Sequence, residues 1–320
     1  MILELGFFAI AFVASIIAIK AVSGKNQKMG VTGTDVNKLD KRELPESAGI
    51  ALLIPLWIAI ILFNLLVAEN SGFVAFGLAV SVLSIIGFFD DRKHKFKVQT
   101  ISWTIRAIVV FFVCMMFAMF FAPSVFWLLP FALFIAIIAS FQNTFAGLNG
   151  WEVGSGLIIS GFIAALLSPV GAMPIGFALV GAIAGLFLFN AFPAKVFPGD
   201  SGTILIGSSI ACLVILNQNR WLMLLALLFF LPHAFDFFCL KLLTNKKDMS
   251  QSKAMPYSAR QDGKLTLPLY KDGKTRYDFA KLILKLFGPM EEWKVVAIIW
   301  AIVAINCFFW VWAFKAMQLI

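Results

Sequence analysis

Val125-Phe-Trp-Leu-Leu-Pro-Phe-Ala-Leu-Phe-Ile-Ala-Ile-Ile-Ala-Ser-Phe-Gln142 is an apolar run without a single charged residue. Wound as a helix at about 1.5 Å per residue, it nearly crosses the ~30 Å hydrocarbon core of a bilayer. Comparable runs lie near 4–22, 48–68, 72–88, 100–122, 155–169, 172–191, 201–217, 221–243 and 294–315. The expected fold is an all-α polytopic membrane protein of about ten transmembrane helices, read as one integral membrane domain over residues 1–320. The first run has no preceding cation and no clear small-residue cleavage site, so it reads as a permanent helix rather than a secretory signal.

Composition agrees. Of 320 residues, 61% are hydrophobic and 13% charged, where soluble domains average roughly half and a quarter. Cys114, Cys212, Cys239 and Cys307 all fall inside apolar runs. They read as small buried side chains, not as disulfides or zinc ligands. The net charge of +9 does not point to nucleic acid, because its distribution is that of topology. With loops numbered by the preceding helix, odd loops hold Lys20, Lys25, Lys28, Lys38, Lys41 and Arg42, then Arg92, Lys93, Lys95 and Lys97, then Lys195, then a dense set from Lys241 to Lys285. Even loops hold little beyond Arg220. The positive-inside rule places the odd loops in the cytoplasm and both termini outside.

The odd loops also hold nearly every polar cluster. Loop one contains Asp35-Val-Asn37-Lys38 and Pro45-Glu46-Ser47, the latter a good helix start. Loop three opens with Asp90-Asp91 at the end of an apolar helix. Such a pair must be solvated, ion-paired or bound to a cation, and paired hard oxygens suit Mg²⁺ with substrate phosphates. Loop five, Asn143-Thr-Phe-Ala-Gly147-Leu148-Asn149-Gly150-Trp-Glu152, is denser in polar and turn residues than a connector requires, and its glycines allow close backbone approach to a ligand. In loop seven, Phe197-Pro-Gly-Asp200 precedes an apolar helix, where a carboxylate can cap and an anion can dock. Loop nine, residues 244–293, is expected to form a small β-hairpin around Asp272-Gly273 and an amphipathic helix over 279–287 ended by Gly288-Pro289. Inside the membrane, Arg106 is an ionisable candidate, and His233 and Asp236, three apart after Pro232, share a helix face.

Together the loops gather Asp90, Asp91, Asn143 and Asp200 on one face for a hard divalent ion, flanked by Lys38 and Lys97. That suits phosphoryl chemistry on a membrane lipid better than transport, which sets polar groups along a midplane pathway.

The segments Asp35–Lys38 with Leu44–Ser47, Gly87–Asp91, Asn143–Gly154, Phe189–Asp200 and Leu284–Pro289, in that order, resemble the polyprenyl-phosphate N-acetylhexosamine-1-phosphate transferases. Within that family the chain is similar to the archaeal and eukaryotic branch acting on dolichyl phosphate. The resemblance implies transfer of a sugar 1-phosphate from UDP-N-acetylglucosamine, or a close UDP-N-acetylhexosamine, to dolichyl or a related polyprenyl phosphate. UMP leaves, and N-glycan assembly on the lipid begins. It implies Mg²⁺ on Asn143 and Asp200, with Mn²⁺ as the alternative. Lys97, or Lys95, and Lys38 would meet phosphate, while Asp90 and Asp91 would organise the lipid phosphate and the metal. Gly147, Leu148 and Asn149 would hold uracil, with Glu46, Glu152 and Phe197 around the nucleotide.

Loop nine departs from the branch, which carries a Pro-Arg-His-Arg-like cluster there. Met255-Pro256-Tyr257-Ser258-Ala259-Arg260 keeps Pro256 and, loosely, Arg260, leaving the amino sugar open. The expected setting is an archaeal-like cell membrane with the site facing the cytoplasm, or the endoplasmic reticulum if eukaryotic, among membrane lipids and with a homodimer as the oligomer to look for. The rival readings are an undecaprenyl-type phospho-sugar transferase and a nucleotide-sugar or lipid transporter.

Overall fold

The computed structural model describes residues 2–96, 103–168, 171–244, 257–268 and 277–320, with the backbone alone over 93–96 and 103–107. Helix α1 (Ile2–Lys28) leads into an antiparallel pair, β1 (Thr32–Thr34) and β2 (Glu43–Pro45), with Gly33 opposite Leu44. A 3-10 turn, Ala48–Leu52, runs into α2 (Leu53–Leu66). Then come α3 (Ser71–Phe96), α4 (Trp103–Phe121), α5 (Val125–Thr144), α6 (Trp151–Leu166), α7 (Met173–Asn190) and α8 (Gly199–Leu216). After α9 (Arg220–Phe229), α10 (Leu231–Ala234) continues as a π-helix over Phe235–Leu242, bent 47° from α9. Two short strands, β3 (Ser258–Ala259) and β4 (Lys264–Thr266), precede α11 (Phe279–Phe287), β5 (Met290–Glu291) and α12 (Glu292–Ala316).

The chain is an all-α polytopic membrane protein. Each expected span coincides with a helix, but seven are long and apolar enough to cross a bilayer, or eight with the bent α9–α10 pair as one span. The two others fall short among the described residues: α6 has 16 residues, and α4 is apolar over Ile108–Phe121. Sixteen residues rise about 24 Å, less than the hydrocarbon core.

Helix α8 is the mast of the bundle, 83% buried where α1 and α12 are about one-third buried. Small residues let its neighbours close in, as membrane helices without a hydrophobic driving force between them require. A Cβ on Gly207 would lie 2.7 Å from Ala139 Cα of α5. Helix α1 meets α7 in the same way, with Gly185 against Ser15 and Gly181 against the Phe8 carbonyl.

The last polar segment is described in part. The segment around Asp272-Gly273 lies outside the described residues. Among the described residues a hairpin forms earlier in the segment: β3 pairs β4 around Asp262-Gly263, with Gly263 at φ +78°, and β5 joins the free edge of β4. Leu265 thus pairs with Ala259 and Met290 rather than with the chain that follows it. His233 and Asp236, expected on one helix face, do not hydrogen-bond to each other. The Asp236 carboxylate takes Lys241 Nζ at 2.7 Å and the Phe279 backbone N–H at 2.8 Å. The wide π-turn brings Asp236 and Lys241, five apart, to one side. His233 instead stacks on Phe145, with ring centroids 3.9 Å apart, and among the described residues neither of its nitrogens has a hydrogen-bond partner.

The expected amphipathic helix is present as α11. The Asp278 carboxylate accepts from the Lys281 N–H at 2.8 Å and caps its start, and Gly288 at φ +80° ends it. Cys114, Cys212 and Cys307 are buried, Cys239 is exposed, and all four are free.

Candidate active site

The five odd loops converge. At the start of α8 three backbones crowd together. A Cβ on Gly87 of α3 would lie 2.8 Å from the Asp200 carbonyl, and Gly49 of the 3-10 turn touches Gly202. The turn is tied to loop seven by the Ala48 N–H to the Phe197 carbonyl at 3.0 Å and the Gly49 N–H to the Pro198 carbonyl at 2.9 Å. Across this junction the Asp91 carboxylate accepts from the backbone N–H of Asp200 at 2.7 Å and of Ser201 at 3.4 Å. Asp91 therefore caps α8 and fixes where Asp200 stands. Asp90 is half-buried one residue earlier.

Asn143 closes α5 beside this node. Thr203 Oγ1 lies within hydrogen-bond distance of Asn143 Oδ1 and of the Asp200 carbonyl, the latter at 3.3 Å, and so ties together the two residues expected to hold a metal. Among the described residues no three His, Cys, Asp or Glu side chains cluster as a metal site. One carboxylate and one carboxamide still fit Mg²⁺, which is bound through one or two protein oxygens with phosphates and water completing its shell. Lys241 Nζ donates to the Thr144 carbonyl at 2.5 Å, securing the end of α5.

Beside the node lies a cleft of about 210 Å³ lined by residues 34–37, Gly147, Leu148, Asn149, Glu152, Asn190 and Phe197. Asn37 stitches its rim: Nδ2 donates to the Gly147 carbonyl at 3.1 Å, and Oδ1 accepts from the Tyr257 N–H at 3.2 Å. Asn190 Oδ1 accepts from the Gly150 N–H at 3.2 Å. At the back, Asn149 Nδ2 donates to Asp35 Oδ2 at 3.0 Å and its N–H to Glu292 Oε1 at 2.8 Å, while Lys38 is ion-paired with Glu292. Glu152 is half-buried, and among the described residues its Oε2 has no hydrogen-bond partner. A Cβ on Gly33 would touch both Phe197, at 3.1 Å, and the Glu46 carboxyl, at 3.4 Å. Glu46 and Phe197 thus stand between the cleft and the Asp91–Asp200 corner.

The structure brings Lys38, Glu46, Asp91, Asn143, Gly147, Leu148, Asn149, Glu152, Phe197 and Asp200 to one face. Arg260 lies in the hairpin turn, half-exposed and 3.8 Å from Asp262. Lys97 lies outside the described residues, and Lys95 is in the last turn of α3 with its side chain undescribed. Glu292, Tyr257 and Thr203 carry no motif in the sequence and were not expected. Burial, and then the Asp278 carboxylate to which it donates at 3.0 Å, hold the Tyr257 hydroxyl well above its ordinary pKa, so it remains a donor. Glu292 reads as one of two acids opening a helix, and nothing local tells which one turns inward.

A small-residue helical bundle with its polar loops folded over one end, and a polar cleft beside an oxygen-rich corner, defines a multi-pass membrane protein with a candidate site at that end. Comparison with known proteins supplies the kinship. The model for glycosyl transferase family 4 matches residues 73–218. A protein of Methanocaldococcus jannaschii, provisionally named as a glycosyltransferase, is 31% identical over 92% of this chain and 91% of its own. Proteins of Saccharolobus solfataricus (30% identical, 92% of both chains) and Sulfolobus acidocaldarius (28% identical, 92% and 90%) carry the provisional name UDP-N-acetylglucosamine–dolichyl-phosphate N-acetylglucosaminephosphotransferase. The chain belongs to glycosyl transferase family 4.

Proposed function

We propose that this protein transfers N-acetylglucosamine 1-phosphate, or a close N-acetylhexosamine 1-phosphate, from a UDP-sugar to dolichyl or a related polyprenyl phosphate, releasing UMP. The reaction takes place at the cytoplasmic face of a cell membrane. The observation that carries this reading is that the same two loops supply the cleft and the corner: Gly147 and Asn149 of the cleft follow Asn143 of the corner, and Phe197 of the cleft precedes Asp200. A nucleoside fits the cleft and a pyrophosphate the corner. The names of the two dolichyl-phosphate relatives support the same donor and acceptor.

The acceptor phosphate already carries an oxygen nucleophile, so the protein need not supply a strong base. Its oxygen bonds to the phosphorus that bears the sugar, the bond from that phosphorus to the bridging oxygen breaks, and the electron pair leaves with UMP. What remains for the chain is positioning and charge neutralisation, which dominate phosphoryl transfer. Gly147, Leu148 and Asn149 hold the base, and Phe197 and Glu46 set the direction in which the pyrophosphate leaves the cleft. Asn143 and Asp200 would hold Mg²⁺, or Mn²⁺, which supplies screening of the pyrophosphate charge. Asp91 keeps Asp200 in place, Lys97 or Lys95 meets phosphate, and Asp90 faces the lipid phosphate.

The test is an assay of purified protein with dolichyl phosphate, Mg²⁺ and a panel of radiolabelled UDP-sugars. The expected outcome is a lipid-linked sugar and stoichiometric UMP from one donor, stopped by a chelator and restored by Mg²⁺. No lipid product and no UMP from any donor would overturn the reading.

A further inference from the structure

Asp35 and Glu292 are both buried, at 3% and 2% exposure, behind the cleft. Lys38 stands between them, with Nζ 3.6 Å from Asp35 Oδ2 and in an ion pair with Glu292 Oε2. Two carboxylates so close to one another would repel, and the shared ammonium holds them together. Each then grips Asn149 from its own side: Asp35 takes the side-chain NH₂ and Glu292 the backbone N–H.

The grip has a chemical consequence. An ionised carboxylate offers acceptors and no donor, so the half of the Asn149 carboxamide turned to Asp35 is its NH₂ group. The amide cannot turn over without setting oxygen against oxygen in a buried site. Oδ1 is left for the cleft that Asn149 lines, and among the described residues it accepts no hydrogen bond. The wall of the pocket is thereby an acceptor of fixed sign.

We propose that the buried Asp35–Lys38–Glu292 cluster is a positioning device that locks Asn149 as a hydrogen-bond acceptor and so selects the base of the donor, admitting uracil and rejecting cytosine. Uracil presents N3–H, which Oδ1 can receive. Cytosine presents a bare N3 lone pair there, so two acceptors would meet. A site built around one hydrogen bond discriminates steeply against a ligand that cannot make it. This deepens the functional reading above and rests on it.

Equilibrium binding of UMP and CMP to the full-length, detergent-purified protein tests the proposal without relying on turnover. Wild type should prefer UMP by about tenfold or more, the scale of one net hydrogen bond. In Asp35→Asn the new amide can donate as well as accept, so Asn149 is free to turn. CMP binding should then improve, and the preference should fall to within about threefold. Glu292→Gln keeps an acceptor for the Asn149 N–H and leaves Asp35 in place, so both affinities should drop together with the preference retained. If Asp35→Asn weakens UMP and CMP by the same factor, Asp35 is a structural residue and the proposal fails while the nucleotide reading stands. Wild type that binds both equally also overturns it, and wild type that binds neither overturns both readings. Should Asp35→Asn not fold, Asn149→Ala decides: the preference must vanish, and its survival refutes the device.

Discussion

Asp91 takes part in architecture and Asp200 is the acid proposed for the metal, although in the sequence both are acids at a membrane boundary. The Asp91 oxygens sit on the amides of Asp200 and Ser201, whereas Asp200 shares Thr203 with Asn143. Asp200→Asn, which keeps shape and loses charge, is expected to abolish turnover at unchanged yield of folded protein. Activity retained within about tenfold in the radiolabel assay would remove Asp200 from the metal site. Asp91→Ala should cost roughly 1–2 kcal/mol, the usual worth of a helix cap, read as a lowered Tm in detergent. Asp91→Asn keeps one acceptor and should recover part of that loss. Tyr257→Phe removes one donor from Asp278, which keeps the Lys281 ammonium at 3.2 Å, and should lower stability by about 0.5–1.5 kcal/mol. At this scale the polar residues were legible by type and cluster. Their partners were not, because Lys38 and Glu292, or Asn37 and Tyr257, are joined by the fold across more than two hundred positions.

At the scale of elements, glycines decide how near the helices come. The Gly87–Asp200 contact leaves no room for a methyl group. Gly87→Ala must push α3 from the start of α8, at roughly 1–3 kcal/mol for an overpacked interface. Because Asp91 is carried on the same helix, activity should fall before thermal stability does; an unchanged kcat would separate the two. The helix positions and the membrane class followed from unbroken apolar runs, a signal that needs no tertiary knowledge. Two Asp-Gly pairs carry the same turn chemistry; the one at Asp262-Gly263 turns the hairpin found among the described residues, with β5 as its third strand, and the one at Asp272-Gly273 lies outside them. The His233–Asp236 reading assumed an α-helical face, and a π-turn changes which residues share a side.

At the scale of the whole molecule, charge asymmetry foretold that the odd loops share a face, and contacts among loops one, three, five, seven and nine bear this out. The even loops meet on the other side, where the Ser168 N–H donates to Asn217 Oδ1 at 2.7 Å. Single cysteines in a cysteine-free background, at exposed Lys195 and at Gln218, should react on opposite sides with a membrane-impermeant maleimide. Labelling from the same side would overturn the topology. The number of spans was less legible than their positions, because α6 is too short to be counted by length alone.

The Lys38–Glu292 pair joins residues 254 positions apart, the first polar loop to the last helix. A nascent chain emerges from its N-terminus, so Lys38 and Asp35 wait through the insertion of every intervening segment before their partner arrives. Until then Asn149 lacks the anchor on its backbone N–H and has only the one on its side chain. Competence is thus acquired at the end of synthesis, and a chain stalled before residue 292 is inserted cannot draw on the substrate pool.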